Sequence, residues 1–188
     1  MLRILFISVL AMSLSACGGE SHEHHASPSD MDPTTTEVTL STPDAFKAQL
    51  TTALQSYFDL STSLIETNAA DAQTHAENFA LVFESVDGSV LSGQAAEVWN
   101  EHAEEVKKRA HAIHRKLDVE EQRYEFEYLS AGMIMIVKNL GVDQTVYEQT
   151  CPMVRGGSAN WLAPQEEILN PYHGSRMLRC GAVVSIIS

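Results

Sequence analysis

Two short stretches near the C-terminus carry sulfur donors in mirrored order. The first reads CPMV at residues 151–154, and the second reads MLRC at residues 177–180. Each stretch therefore pairs one thiol with one thioether, Cys151 with Met153 and Met177 with Cys180. Thiolates and thioethers are soft donors that favour Cu(I) and Ag(I) over Zn(II), Ca(II) or Mg(II). The four residues are candidate ligands of a soft metal ion, and His173 is an additional candidate if its loop folds back onto them.

The same two cysteines could instead form a structural disulfide. A bond between Cys151 and Cys180 would close a loop of about 30 residues and contribute roughly 3 to 4 kcal/mol in the chain-entropy model. Met153 and Met177 would then only fill gaps in the packing. The residues and their spacing do not decide between a metal site and a disulfide.

The N-terminus predicts export and a lipid anchor. Arg3 precedes an apolar run at residues 4–14 and then small residues, which is the pattern of a signal peptide over residues 1–16. Its end, LSAC at residues 14–17, resembles the lipobox of bacterial lipoproteins, in which the cysteine is acylated. Cys17 is therefore predicted to hold the protein on a membrane, and an ordinary secretory signal ending in cysteine is the alternative.

Export decides how the other cysteines are interpreted. Because no aspartate follows Cys17, the periplasmic face of the outer membrane is the expected location. Once Cys17 is acylated, Cys151 and Cys180 are the two cysteines that remain. In an oxidising compartment such a pair ends as a disulfide or is kept reduced by a metal.

Residues 17–41 are polar and are predicted to be a flexible tether between membrane and domain. Within them, His22, His24 and His25 could bind Cu(II), Zn(II) or Ni(II) weakly, or could simply belong to a hydrophilic linker.

The chain carries 25 Asp and Glu against 12 Lys and Arg, a net charge of −13. This balance argues against nucleic-acid binding, which depends on contacts from Lys and Arg to phosphate, and is compatible with cationic partners.

Residues 42–141 show the pattern of four amphipathic helices. Apolar residues recur at alternating steps of four and three, which gives each helix one buried face. Thr42, Pro43 and Asp44 predict the start of the first helix, and Asp118 and Gly141 predict the start and end of the fourth. The predicted core positions are Phe46, Leu50, Ala53, Tyr57, Leu60, Leu64, Ala72, Ala76, Phe79, Phe83, Val86, Val90, Trp99, Ala103, Val106, Ala110, Ile113, Leu117, Phe126, Leu129, Met133, Ile136 and Leu140.

The expected fold is mainly α, an up-and-down four-helix bundle followed by a small C-terminal β-hairpin or loop segment at residues 142–188. Residues 146–151 and 177–187 have the β-branched and aromatic content of strands. Pairing these two strands would bring Cys151 near Cys180 and fold Trp161 and Leu162 onto the helices.

Motifs across residues 45–184 resemble a bacterial family called domain of unknown function 3347. The matching residues are Arg123, Phe126, Leu129, Ser130, Tyr147, Cys151, Pro152, Met153, Trp161, Leu162, Glu167, Ile168, Asn170, Pro171, Tyr172, Gly174, Met177, Leu178, Cys180 and Gly181. Members of that family occur alone as exported proteins and attached to periplasmic adaptors of copper and silver efflux pumps. The resemblance therefore implies heavy-metal handling with efflux-pump components as partners. His173 stands where the family usually has an aromatic residue.

These observations predict a lipid-anchored periplasmic protein that binds Cu(I) or Ag(I) for sequestration or delivery. A metal-free envelope interaction module with a Cys151–Cys180 disulfide is the alternative, and an acidic lipoprotein that binds cationic material is a third. An enzyme is not expected, because the sequence has no Cys-x-x-Cys, nucleophile elbow or phosphate-binding loop.

Overall fold

The computed structural model describes residues 33–38 and 40–188, which form four helices followed by a small sheet. The helices are α1 (Asp44–Ile65), α2 (Ala69–Glu84), α3 (Gly93–Arg115) and α4 (Val119–Leu140). Consecutive helices pack against one another along the chain, α1 with α2, α2 with α3 and α3 with α4. This architecture confirms the predicted fold class. No helix in the described ranges is both long and apolar enough to cross a membrane.

The apolar pattern identified the core correctly within the helices. Every predicted position of α1 and α4 is buried, and Phe79 and Phe83 of α2 are buried with them. Trp99 is half-buried and stacks on Phe83, with ring centroids 5.2 Å apart. Two predicted positions are wrong, because Val90 and Leu117 lie beyond the ends of α2 and α3 and are exposed.

The helix ends were only partly predictable. Asp118 caps α4 as expected, since its carboxylate accepts the amide protons of Glu120 and Glu121. Thr42 was expected to cap α1, but its hydroxyl instead donates to the carbonyl oxygen of Leu140 at 2.7 Å. The residue therefore ties the start of α1 to the end of α4 rather than capping its own helix.

The sheet contains four strands in the order β1-β4-β2-β3. They are β1 (Thr34–Thr36), β2 (Val146–Val154), β3 (Gly157–Ala163) and β4 (Ala182–Ile187). β2 pairs antiparallel with both β3 and β4, and β1 pairs parallel with β4. The predicted pairing of the two C-terminal strands is confirmed, but a third strand lies between them in the chain, in a stretch predicted to be irregular.

The first strand falls within the predicted tether. Its three threonines pair with β4, and the Thr36 hydroxyl lies 2.7 Å from that of Ser185. β-branched residues suit a strand even where the segment is too polar to form a core, so the tether prediction is wrong for Thr34–Thr36. The rest of that prediction up to residue 32, with His22, His24 and His25, lies outside the described residues. The same holds for the signal peptide and Cys17.

The middle of β2 is covered on both faces. Glu148 of β2 accepts hydrogen bonds from Lys138 of α4 and from Asn160 of β3, so this face lies against the helices. The next residue, Gln149, is fully buried and donates to three successive carbonyl oxygens at residues 165–167. Because neighbouring residues of a strand point to opposite faces, residues 165–167 lie over the other face of β2 at Gln149. They belong to the segment at residues 164–181, which is called the covering segment below.

Candidate metal centre

The structure brings the two predicted thiols together. The Sγ atoms of Cys151 and Cys180 lie 3.7 Å apart, and both residues are free cysteines. A disulfide requires about 2.05 Å between the sulfurs. Two sulfurs that each lie about 2.3 Å from one tetrahedral metal ion are about 3.8 Å apart. The observed separation therefore suits two thiolates that share a metal ion, and a disulfide would need the sulfurs to approach by about 1.7 Å.

The pairing of β2 with β4 sets this distance. Thr150 pairs with Ala182, so that Cys151 and Cys180 lie just beyond the end of the ladder. Between Cys180 and β4 stands Gly181, with φ +151, where a Cβ atom would lie 2.5 Å from the carbonyl oxygen of Thr150. Only glycine allows the chain to pass so close to β2, and this close passage holds Cys180 beside Cys151.

A buried asparagine organises the loop that leads to the second thiol. Asn170 donates from Nδ2 to the carbonyl oxygen of Cys180 at 2.8 Å. Its Oδ1 accepts the amide protons of Tyr172 and His173, and its own amide donates to Leu178. One side chain thus fixes both the turn that begins at residue 170 and the backbone at Cys180, which explains the NPYHG stretch in structural terms.

The two methionines differ in their surroundings. Met177 is half-buried, and its carbonyl oxygen accepts the amide proton of Cys180, so MLRC forms one tight turn. Met153 is 59% exposed, although Cys151 two residues earlier is fully buried. The register between β2 and β3 shifts between Cys151 and Val154, and this irregularity breaks the alternation of faces. The thioether of Met153 therefore lies at the surface.

His173 lies close to the same part of β2. Its Nε2 is 3.1 Å from the carbonyl oxygen of Met153, so the loop does fold back toward this strand. With a proton on Nε2 donated to that carbonyl, Nδ1 is the nitrogen left to act as an acceptor or ligand. The structure places the imidazole beside the backbone of Met153 and defines no contact between it and the thiols.

Burial affects the protonation of the second thiol. It raises the pKa of Cys180 above its ordinary value, and the neighbouring Cys151 thiol raises it further. The neutral thiol is therefore the prevailing form at neutral pH, and a metal ion that binds there must displace its proton.

Nitrogen and oxygen ligands are not gathered around the thiols. In the part of the chain that the structure describes, no group of three or more His, Cys, Asp or Glu side chains could hold a metal ion. A centre at Cys151 and Cys180 would thus use the two thiolates alone or add methionine thioethers, a donor set that suits a monovalent soft ion.

A buried arginine anchors the covering segment to the helices. Arg123 of α4 donates to the carbonyl oxygens of Leu64 at 2.7 Å and Pro171 at 2.8 Å, and it pairs with Glu120. Gly174, with φ +54, packs directly against this guanidinium. Arg123 was not among the residues predicted to have a structural role, although an arginine one turn before Phe126 on the core face of a helix was a usable signal.

Two buried tyrosines close the free edge of β3. The hydroxyl of Tyr57 accepts the amide proton of Leu162 and lies 2.8 Å from the Ser130 hydroxyl. The hydroxyl of Tyr172 donates to the carbonyl oxygen of Asn160 at 2.6 Å. Burial raises the pKa of both tyrosines above the ordinary value. These bonds dock β3 onto the helices on one side and onto the covering segment on the other.

The protein is thus a four-helix domain with a four-stranded sheet and an adjacent pair of thiols. Residues 53–145 match the family model described as "Protein of unknown function (DUF3347)", which supports the family resemblance over that stretch. The match begins within α1 and ends one residue before β2, so it does not include the thiols. No match to the chain was found among curated proteins or among solved structures.

Proposed function

We propose that this protein binds one Cu(I) or Ag(I) ion through Cys151 and Cys180, with Met177 and Met153 as further donors. The observation that carries the proposal is the 3.7 Å separation of two thiols, one contributed by β2 and the other by the turn that precedes β4. Thiolate and thioether ligands select soft monovalent ions, and a pair already at the separation that a shared ion requires needs little rearrangement to bind one.

The surroundings of the pair also favour reversible binding. Cys151 is fully buried whereas Cys180 is half-buried, so an ion could reach the inner thiolate past the outer one. Met153 offers an exposed thioether on the same strand as Cys151, where an arriving ion could first be captured. Sequestration and delivery both require such a route between solvent and the thiols.

The proposed setting is the cell envelope. The lipobox at residues 14–17 favours acylation of Cys17 and attachment to the periplasmic face of the outer membrane. Resemblance to the family found beside copper and silver efflux adaptors favours efflux components as partners. His22, His24 and His25 would then add a weak accessory site close to the membrane.

The second candidate is a metal-free interaction module with a Cys151–Cys180 disulfide. The same proximity favours it, because the sulfurs need to approach by only about 1.7 Å and an exported protein meets oxidising conditions. In this case the disulfide would connect the covering segment to β2, and the metal would have no thiolates to bind.

Competition for Cu(I) distinguishes the candidates. The reduced protein is titrated with Cu(I) in the presence of a chromophoric Cu(I) chelator, under anaerobic conditions. We expect one equivalent to bind and at least a hundredfold loss of affinity in Cys151→Ser and Cys180→Ser. Met135→Leu, which changes an exposed methionine on α4, should bind as the unchanged protein does.

Two outcomes would contradict the proposal. Equal Cu(I) affinity in the cysteine variants and the unchanged protein would mean that Cu(I) does not bind at Cys151 and Cys180. An unreduced protein whose intact mass shows the disulfide, and which fails to bind Cu(I) even after reduction, would favour the metal-free module.

A further inference from the structure

The two thiols are unequal in their access to solvent. Cys180 is half-buried and belongs to a tight turn outside the strands, while Cys151 is fully buried in β2. β2 lies inside the sheet and is hydrogen-bonded to β4 on one side and to β3 on the other. Of the two residues, only Cys180 is partly open to an external reagent, because Cys151 is fully buried.

We propose that the pair is a thiol–disulfide exchange site for small disulfides, in which Cys180 is the attacking thiol and Cys151 the resolving one. This chemistry uses the same sulfurs as the proposed metal site but does not depend on metal binding. It goes beyond a permanent structural disulfide, because it assigns a different role to each cysteine.

The exchange takes two displacement steps. Cys180 first loses its proton to solvent, and the thiolate so formed attacks one sulfur of a small disulfide, whose S–S bond breaks so that one half leaves as a thiolate. The Cys151 thiolate then attacks the Cys180 sulfur of this mixed disulfide and expels the other half. Two protein thiols are oxidised to one disulfide, the small disulfide is reduced to two thiols, and the two protons pass to the released thiolates.

The geometry supports this order of events. Cys180 is partly exposed, and its Sγ atom lies 3.7 Å from that of the fully buried Cys151, so an adduct formed on Cys180 would have the resolving thiol beside it. Closing that distance requires movement of the turn at residues 177–180, which lies outside the strands, rather than of β2, which is hydrogen-bonded to a strand on each side. The turn is therefore the part that adjusts when the second bond forms.

Formation of the disulfide and binding of a metal ion would exclude each other. A disulfide leaves neither sulfur as a thiolate, and a shared metal ion occupies both sulfurs. This consequence rests on the proposed function. A higher concentration of small disulfides would favour release of the metal ion, because oxidation removes both thiolate ligands.

Intact-mass kinetics test the assigned roles. The full chain, carrying Cys17→Ser in every sample so that only two thiols remain, is reduced, freed of metal with a chelator and mixed with glutathione disulfide. We expect the protein to end as the intramolecular disulfide. Cys151→Ser should accumulate one glutathione adduct at Cys180, and Cys180→Ser should react at least tenfold more slowly. In urea the two variants should react at similar rates, because unfolding removes the difference in access.

A second measurement does not depend on the variants. Samples of the two-cysteine protein are quenched with acid during the reaction and digested, and the peptide that carries glutathione is identified. Adducts on Cys180 support the proposal, whereas adducts mainly on Cys151, or equal rates for the two folded variants, would overturn it. Normal exchange without Cu(I) binding would contradict only the proposed function, and normal Cu(I) binding without exchange only this inference.

Discussion

Gly174→Ala tests whether the covering segment is rigidly docked on the helices. Gly174 has φ +54, and a Cβ atom there would lie 2.6 Å from both Arg123 Nη2 and the Thr67 hydroxyl, and 2.8 Å from the carbonyl oxygen of Ile65. Gly93 is the matched control, since its φ is +57 but a Cβ atom would meet nothing within 4 Å. The two substitutions share the backbone cost and differ in the contacts.

The expected magnitudes follow from this difference. Placing alanine at a left-handed φ costs roughly 1 to 2 kcal/mol, offset by about 0.4 to 1 kcal/mol from the less flexible unfolded chain. Gly93→Ala should therefore lower the free energy of unfolding by about 1 kcal/mol. Gly174→Ala should lose about 1 to 3 kcal/mol more, because the carbonyl of Ile65 is backbone and cannot rotate away.

Urea unfolding of the two variants and the unchanged protein measures these free energies, with equal m-values as the check that the unfolded states are comparable. A difference between the variants of less than about 0.5 kcal/mol would mean that the surroundings yield to the new methyl group. The segment that carries Cys180 would then be loosely held, and its docking on the helices would not fix the position of the thiol.

Three other predictions concern buried polar groups. Arg123→Lys should lower the free energy of unfolding by about 2 to 4 kcal/mol in urea unfolding. A lysine ammonium group cannot reproduce the planar guanidinium that donates to the carbonyl oxygens of both Leu64 and Pro171. An unchanged free energy would contradict the anchoring role of Arg123. Burial raises the pKa values of Tyr57 and Tyr172, so the unfolded chain loses these protons first as the pH rises above about 10. Stability should then fall by up to about 1.4 kcal/mol per pH unit for each tyrosine, and urea unfolding as a function of pH should show a flatter decline in the double Tyr→Phe variant. Thr42→Val should cost about 1 kcal/mol in urea unfolding by removing the hydrogen bond to Leu140, and a neutral result would show that this bond does not stabilise the fold.

The helices were predictable because their signals are local and repeated. A core position such as Phe126 is reinforced by Leu129 and Met133 on the same face, and Asp118 caps through amides only two and three residues away. The prediction that Val90 is a core position was wrong because the apolar pattern continued past the last residue of α2, and periodicity alone does not locate a helix end.

The sheet was harder to predict because its strands depend on distant partners. β1 consists of threonines that are strand-like only when β4 lies beside them, and β3 begins with glycine and serine, which are typical of loops. Thr42 has the residue type of a helix cap, but tertiary packing gives its hydroxyl a different acceptor. In each case the deciding contact comes from another part of the chain.

The proximity of the two thiols was predictable from the sequence, whereas the surroundings of Met153 and the role of Asn170 were less so. The mirrored sulfurs and the pairing of two strands were enough to expect Cys151 near Cys180, and the structure confirms that proximity. The exposure of Met153 depends on the strand irregularity before Val154, and Pro152 was a usable signal of it, because proline inside an interior strand is typical of a bulge. Asn170 was noted only as part of a motif, because its hydrogen bonds become apparent only in the folded loop.

X-ray absorption at the copper edge tests the proposed metal site most directly. The reduced protein, loaded with one equivalent of Cu(I), should show a first shell made of sulfur, with copper–sulfur distances of about 2.3 Å, the usual length of a metal–thiolate bond. Two of these sulfurs should disappear from the shell in the Cys151→Ser, Cys180→Ser double variant. A first shell of nitrogen and oxygen, or a sulfur shell unchanged in that variant, would contradict the site at Cys151 and Cys180.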